Sequence, residues 1–223
     1  MIIRVWDLPL RLFHWALAIL VLCSATTGLL GEKLGASVVE WHARSGYAIL
    51  SLLLFRIVWG FCGGSQARFV NFLRWPRTVL DYVRRALRGE KQLVIGHNPA
   101  GGWSVLAMLL FLSLQAGTGL FLADEDLAFE APLAKHVSSH MVDALKEFHE
   151  ANFFLLAALV VMHLAAIAYY FFVKREDLVR PMLSGERELA AAPQEMPRGG
   201  HPLLGALILA AAVTAVVLLV RLA

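Results

Sequence analysis

His149 and His163 stand fourteen residues apart in one apolar run, KEFHEANFFLLAALVVMHLAAIAYYFF. Fourteen residues of α-helix make about four turns, so the two imidazoles share a face and lie about 21 Å apart along the axis. His14 and His42 open two earlier apolar runs. Neutral imidazole is a ready ligand for transition metals, and an imidazole inside lipid is costly enough to point to function. Two ligand levels at that separation suit two metal centres stacked across a hydrocarbon layer about 30 Å thick.

The elements that must position these side chains follow from composition. The 223 residues are 59% hydrophobic and 17% charged, with mean hydropathy +0.66, unlike a soluble domain of this size. Five stretches, 12–31, 43–62, 102–122, 149–173 and 202–220, are near the length needed to span. Lipid tolerates no unpaired backbone, so these are expected to be helices. The first lacks a small-residue cleavage site and is read as a retained helix. Cys23 and Cys62 define no disulfide framework. Neither belongs to a C-x-x-C-H motif, so any haem is held without covalent attachment. No Walker loop, dinucleotide fingerprint, hydrolase triad or nucleic-acid module is present.

Charge predicts the orientation. With the N-terminus inside, the inner segments carry fourteen bases and eight acids, whereas the outer segments before the last helix carry four bases and nine acids. The positive-inside rule then places the N-terminus in the cytoplasm and the C-terminus outside. Helix one runs outward, helices two and four inward. His14 and His163 therefore fall at one depth, near the cytoplasm, and His42 and His149 at the other. Low-spin haem iron takes two imidazoles on opposite faces of the ring, which facing helices of a bundle supply.

WDLPLRLFHW at 6–15, WHARSGY at 41–47, GHNPAGGW at 96–103, LKEFHEANF at 145–153 and VMHLAAIAYYFFVKREDLVRPM at 161–182 resemble the prokaryotic cytochrome b561 family. That family includes the b-type cytochrome subunits of nickel–iron hydrogenases and the di-haem superoxide:quinone oxidoreductases. The resemblance covers residues 1–187. It implies an all-α integral membrane four-helix bundle binding two haem b groups through the pairs above. The expected organisation is a haem-binding domain at 1–187, a flexible cytoplasmic linker at 188–201 and an additional, fifth transmembrane helix at 202–223.

Arg56 is the one arginine well inside a span. It lies fourteen residues after His42, near the same helical face, and a haem propionate is a suitable partner; snorkelling to the headgroups is the other reading. Arg11 and Arg44 are propionate candidates at the two surfaces. Gly28 and Gly46 could admit a flat macrocycle, or serve ordinary helix packing. His97 could contact a propionate, bond a quinone or cap the third span. His136 and His140 lie four apart in an outer segment read as a short amphipathic helix, with no evident third ligand for zinc. The segment RFVNFLRWPRTVLDYVRRALRGEKQLV suits a helix on the anionic inner leaflet.

The expected function is transmembrane electron transfer in the bacterial inner membrane, between an outer-face redox partner and the quinone pool. The electronegative outer face favours a positively charged protein, such as a c-type cytochrome, over superoxide; a hydrogenase or dehydrogenase partner stays open, as does superoxide:quinone oxidoreduction. A histidine-lined ion or proton transporter and a purely structural anchor are the competing classes.

Overall fold

In the computed structural model, residues 1–90, 94–189, 193 and 195–223 are described, without the side chain of Glu32. Lys91 of the basic segment and residues 190–192 and 194 of the expected linker lie outside the described residues.

In chain order the elements are strand β1 (Ile2–Arg4), helices α1 (Leu8–Leu34), α2 (Ala36–Cys62), α3 (Phe69–Phe72), α4 (Pro76–Leu87) and α5 (Pro99–Gly119), and strands β2 (Ala123–Asp124) and β3 (Phe129–Glu130). After a 3-10 turn at Ala134–His136 come α6 (Ser139–Phe172), α7 (Val179–Ser184), β4 (Glu186–Glu188) and α8 (Pro202–Leu222). Five of these, α1, α2, α5, α6 and α8, are long and apolar enough to cross a membrane. Large apolar side chains such as Leu22, Phe61, Phe154 and Val161 are 66–72% exposed, which only a lipid surround makes economical.

Local chemistry places the helix ends. Asp7 caps α1, its Oδ1 accepting the Leu10 N–H at 2.9 Å, with Pro9 in the first turn where a missing N–H costs nothing. Gly35 alone separates α1 from α2. It holds φ +88° and its N–H bonds the Gly31 carbonyl at 2.9 Å, the left-handed ending that glycine adopts without a Cβ penalty. Asn98 caps α5 through Gly101 N–H at 2.7 Å.

One boundary departs from the sequence reading. The outer segment expected to form a separate amphipathic helix supplies the first turns of α6, which runs unbroken from Ser139 to Phe172. Ser138 caps it, accepting the Met141 N–H, and no Pro or Gly interrupts the residues that follow. His136 sits in the 3-10 turn and His140 in the first turn of α6, so the two do not share a helix.

The chain divides into two compact units. The first comprises Met1–Leu12, Arg56–Met108 and Leu159–Ala206. Within it β1 pairs antiparallel with β4, Ile3 opposite Arg187, over a small core of Ile3, Val5 and Leu189. Asp7, 6% exposed, also accepts the backbone N–H groups of Gly64 and Gly200 on Oδ2, both at 3.1 Å. Residues of the expected linker are thus bonded here: Arg198 N–H to Ser65 Oγ at 2.9 Å and Ser65 N–H to the Arg198 carbonyl at 2.7 Å.

The second unit comprises Phe13–Phe55, Leu109–Ala158 and Leu207–Ala223. Its buried residues include Ile49, Leu53, Leu109, Leu112 and Leu156, with the Phe13 and Phe55 rings 6.0 Å apart. Ala16, Leu20, Tyr47, Ser51, Leu209 and Val213 line one apolar cavity, so α8 here neighbours α1 and α2.

Candidate functional site

Two of the four singled-out histidines meet in the second unit. His42, in the second turn of α2, and His149, on α6, have ring centroids 6.2 Å apart with the planes at 81°. The His42 Nδ1 lies 2.8 Å from the Ser24 carbonyl. A carbonyl only accepts, so Nδ1 carries the proton and Nε2 keeps its lone pair. The His149 Nδ1 lies 3.0 Å from Thr118 Oγ1, whose own proton goes to the Leu114 carbonyl at 2.8 Å. Nδ1 of His149 is therefore also the donor. Both rings are held by hydrogen bonds through one nitrogen with the other available to a metal, the arrangement that orients histidine ligands.

The spacing fits an iron between the rings. Ring centroids 6.2 Å apart would leave room for a metal ion held by both imidazoles, given metal–nitrogen bonds of about 2.0 Å. Among the described residues no group of three or more His, Cys, Asp or Glu side chains could hold a metal ion. Two imidazoles alone do not satisfy a bare zinc, which takes four ligands; a metal that brings its own macrocycle would need only these two residues from the protein. Space for a flat group exists in this unit: a Cβ added at Gly46 or Gly117 would meet nothing within 4 Å. Gly28 has a different use, since a Cβ there would lie 2.9 Å from His42 Cε1. Its bare backbone admits the His42 ring itself.

His14 lies in the second unit on α1, half-buried, its ring edge-on to Trp15 at 5.1 Å. His163 lies in the first unit on α6, also half-buried.

The first unit holds a charge of a different kind. Arg56 is 1% exposed, its Cζ 4.9 Å from the Phe69 ring centre and 5.8 Å from that of Phe72. Its Nη1 and Nη2 are buried without a hydrogen-bond partner among the described residues. Cation–π contacts and the field of the buried Asp7 carboxylate offset part of the desolvation, but the N–H groups of Nη1 and Nη2 still lack an acceptor among the described residues. A haem carboxylate is a suitable one. Burial at 1% removes the snorkelling alternative for this arginine.

The other candidates have protein neighbours. The ring of His97 sits between Trp6 and Phe72, each 4.8 Å away. Arg11 donates through Nη1 to the Leu183 carbonyl and packs against Gly185. Arg44 is exposed, bonded to Glu40 at 2.6 Å and lying over Trp41.

Four groups near these centres escaped the sequence reading: Ser24 and Thr118, which orient the histidines; Asn152, 2% exposed, whose Nδ2 reaches the Phe111 carbonyl at 3.0 Å and Gln115 Oε1 at 2.5 Å; and Asp7. Only Asp7 carried a signal, Asp-Leu-Pro at a helix start. The other three act through contacts between helices, which periodicity does not encode.

Membrane-length helices, two of which bring His42 and His149 face to face, define an all-α integral membrane protein. The family model for prokaryotic cytochrome b561 matches residues 5–185, and the chain belongs to that family. Its curated relatives include proteins described as probable Ni/Fe-hydrogenase B-type cytochrome subunits. That of Bradyrhizobium diazoefficiens is 23% identical over 214 residues, covering 83% of this chain and 86% of its own. That of Azotobacter chroococcum is 26% identical over 215 residues, covering 83% and 88%, as is that of Azotobacter vinelandii. No solved structure matches significantly. The protein is a multi-pass membrane cytochrome of the b type, and its function is electron transfer at the membrane. α8 lies beyond the matched residues.

Proposed function

We propose that the chain carries electrons across the bacterial inner membrane between an outer-face redox partner and the quinone pool, using two haem b groups. His42 with His149 and His14 with His163 are the proposed axial pairs, in a haem domain at 1–187 joined through 188–201 to an accessory fifth helix. The N-terminus is cytoplasmic and the C-terminus periplasmic in this reading. The observation that carries it is the facing of His42 and His149 at 6.2 Å with both Nδ1 protons committed to neighbouring helices.

His42, His149, His14 and His163 would hold the haem groups, which when bound would supply single-electron redox chemistry. The residues do the rest. Ser24 and Thr118 fix tautomer and ring direction, so each Nε2 points its lone pair without reorganising. Arg56 supplies charge for a propionate, and raises the affinity of its surroundings for an added electron. Its aromatic walls, Phe69 and Phe72, exclude water from that charge. His97, between Trp6 and Phe72, is a proposed propionate or quinone contact, and Arg11 and Arg44 are proposed propionate contacts at the two surfaces.

The relatives named as hydrogenase subunits support a hydrogenase or related dehydrogenase on the outer face. The acidic outer loops equally suit a basic c-type cytochrome.

The test is a dithionite-reduced minus oxidised spectrum of the purified protein with haem counted per chain. Two haems with bis-histidine b-type bands are the expected result. One haem would make one histidine pair structural, and none would return the histidines to transport or packing.

A further inference from the structure

We infer that α4 is a binding surface for anionic phospholipid, lying in the headgroup plane where α5 and α6 meet the edge of the apolar layer. The inference stands apart from haem binding.

At about 100° per residue, PRTVLDYVRRAL sorts into three strips. Val79, Tyr82 and Ala86 form one edge and are half-buried against the protein. Leu80, Val83 and Leu87 form the next face, and it is open: 56%, 38% and 83% exposed. Arg77, Arg84 and, just past the helix end, Arg88 border that face on its other side. Trp75 immediately before the helix is 84% exposed, and Val70 on α3 is 78% exposed. No residue of α4 is buried. In water such a strip would be a liability; beside a bilayer it is the pattern of a helix sunk to the acyl boundary with its bases among the headgroups.

Two bonds set the height of α4. The Tyr82 hydroxyl bonds that of Tyr170 at 2.8 Å, and Tyr170 lies two residues before the end of α6. The Trp103 indole, in the second turn of α5, donates to the Arg74 carbonyl at 2.8 Å. Asn98 Nδ2 donates to the same Tyr170 hydroxyl at 3.0 Å. Burial, and then the bond to Tyr170, push the Tyr82 hydroxyl above its ordinary pKa, so this tie stays protonated across the physiological range. α4 is thereby tethered level with the ends of two spans.

Charge identifies the occupant. Arg84 pairs with Asp81 at 3.6 Å and Arg85 with Glu90 at 2.7 Å. Arg74, Arg77 and Arg88 make no ion pair among the described residues. Three uncommitted guanidinium groups beside an open apolar strip complement a lipid, phosphate above and acyl chain below; a second copy of this chain would bring the same arginines against each other.

The test uses the full chain, haem-loaded, with Cys23→Ala and Cys62→Ala to clear the native thiols. A nitroxide is placed at Leu80→Cys or at Arg85→Cys, in vesicles of phosphatidylglycerol and phosphatidylcholine. The Leu80 label is expected to be open to oxygen and shielded from an aqueous nickel reagent, and the Arg85 label the reverse. A Leu80 label open to nickel would place α4 in water and overturn the proposal; one closed to both would mean that protein covers it, also overturning it. Native mass spectrometry then compares retention of the two lipids. Replacing Arg74, Arg77 and Arg88 with Gln is expected to lower the phosphatidylglycerol preference about fivefold per arginine. An unchanged preference would remove the charge argument, and the haem spectrum of the same sample verifies that the variant is folded.

Discussion

His42 and His149 each commit one ring nitrogen to a neighbouring group, at 2.8 Å to Ser24 and 3.0 Å to Thr118, and keep the other free. Arg56 is more deeply buried and does the opposite: aromatic rings hold it, and both terminal nitrogens lack a hydrogen-bond partner among the described residues. The difference separates two ways of preparing a site. A ligand must be aimed, because a metal bond is directional, and hydrogen bonds at the far nitrogen do the aiming. A counter-charge needs proximity and low dielectric more than direction, and an aromatic wall supplies both.

The histidine region is the more fragile to substitution. His42→Ala and His149→Ala should each remove one of two haems, and the same one, while His14→Ala and His163→Ala remove the other. Haem counted per chain with the reduced spectrum reads this directly. If His42→Ala and His149→Ala removed different haems, the 6.2 Å facing would have no role in ligation.

Arg56→Leu tests the other region, and its two effects have opposite sign. Without haem the variant should gain about 1–4 kcal/mol, since a buried charge that meets only the field of Asp7 and two aromatic rings has been replaced by a hydrocarbon. With haem it should release the group about tenfold faster, because the propionate loses its partner. Melting curves of both forms decide it; destabilisation of both would mean that the guanidinium is satisfied by the protein alone.

Gly28→Ala bears on how closely the histidine region is packed. A Cβ 2.9 Å from His42 Cε1 must displace the ring, costing about 1–3 kcal/mol and altering the spectrum of one haem only. Thr118→Val should be the mildest of the four, leaving the fold intact and weakening retention of that haem about tenfold by leaving the His149 ring held only by the Gln115 backbone among the described residues. A Thr118→Ser variant, which keeps the hydroxyl, should restore most of it.

How much of this was legible beforehand differs between the same two regions. The spans, the histidines and the buried arginine were readable because each is a residue type at odds with its apolar surroundings, and the 3.6-residue period gave His149 and His163 a common face. The unbroken α6 was missed because a polar helix and an apolar span can join without a break. The β1–β4 pairing and the hub at Asp7 were missed because they join residues from 52 to 193 positions apart.

The sequence alone determined that five helices are long and apolar enough to cross a membrane and that the chain resembles a b561 cytochrome, and it set the expectation that the histidines stand at two depths. Hydropathy and helical period are local properties, and neither needs a partner to be expressed. Only the tertiary structure decided that His42 faces His149 across the bundle, that Ser24 and Thr118 choose the tautomers, and that Arg56 lies beyond the reach of water. Those outcomes depend on which helix packs beside which, at what rotation, and that is set by side-chain interlocking between segments far apart in the chain.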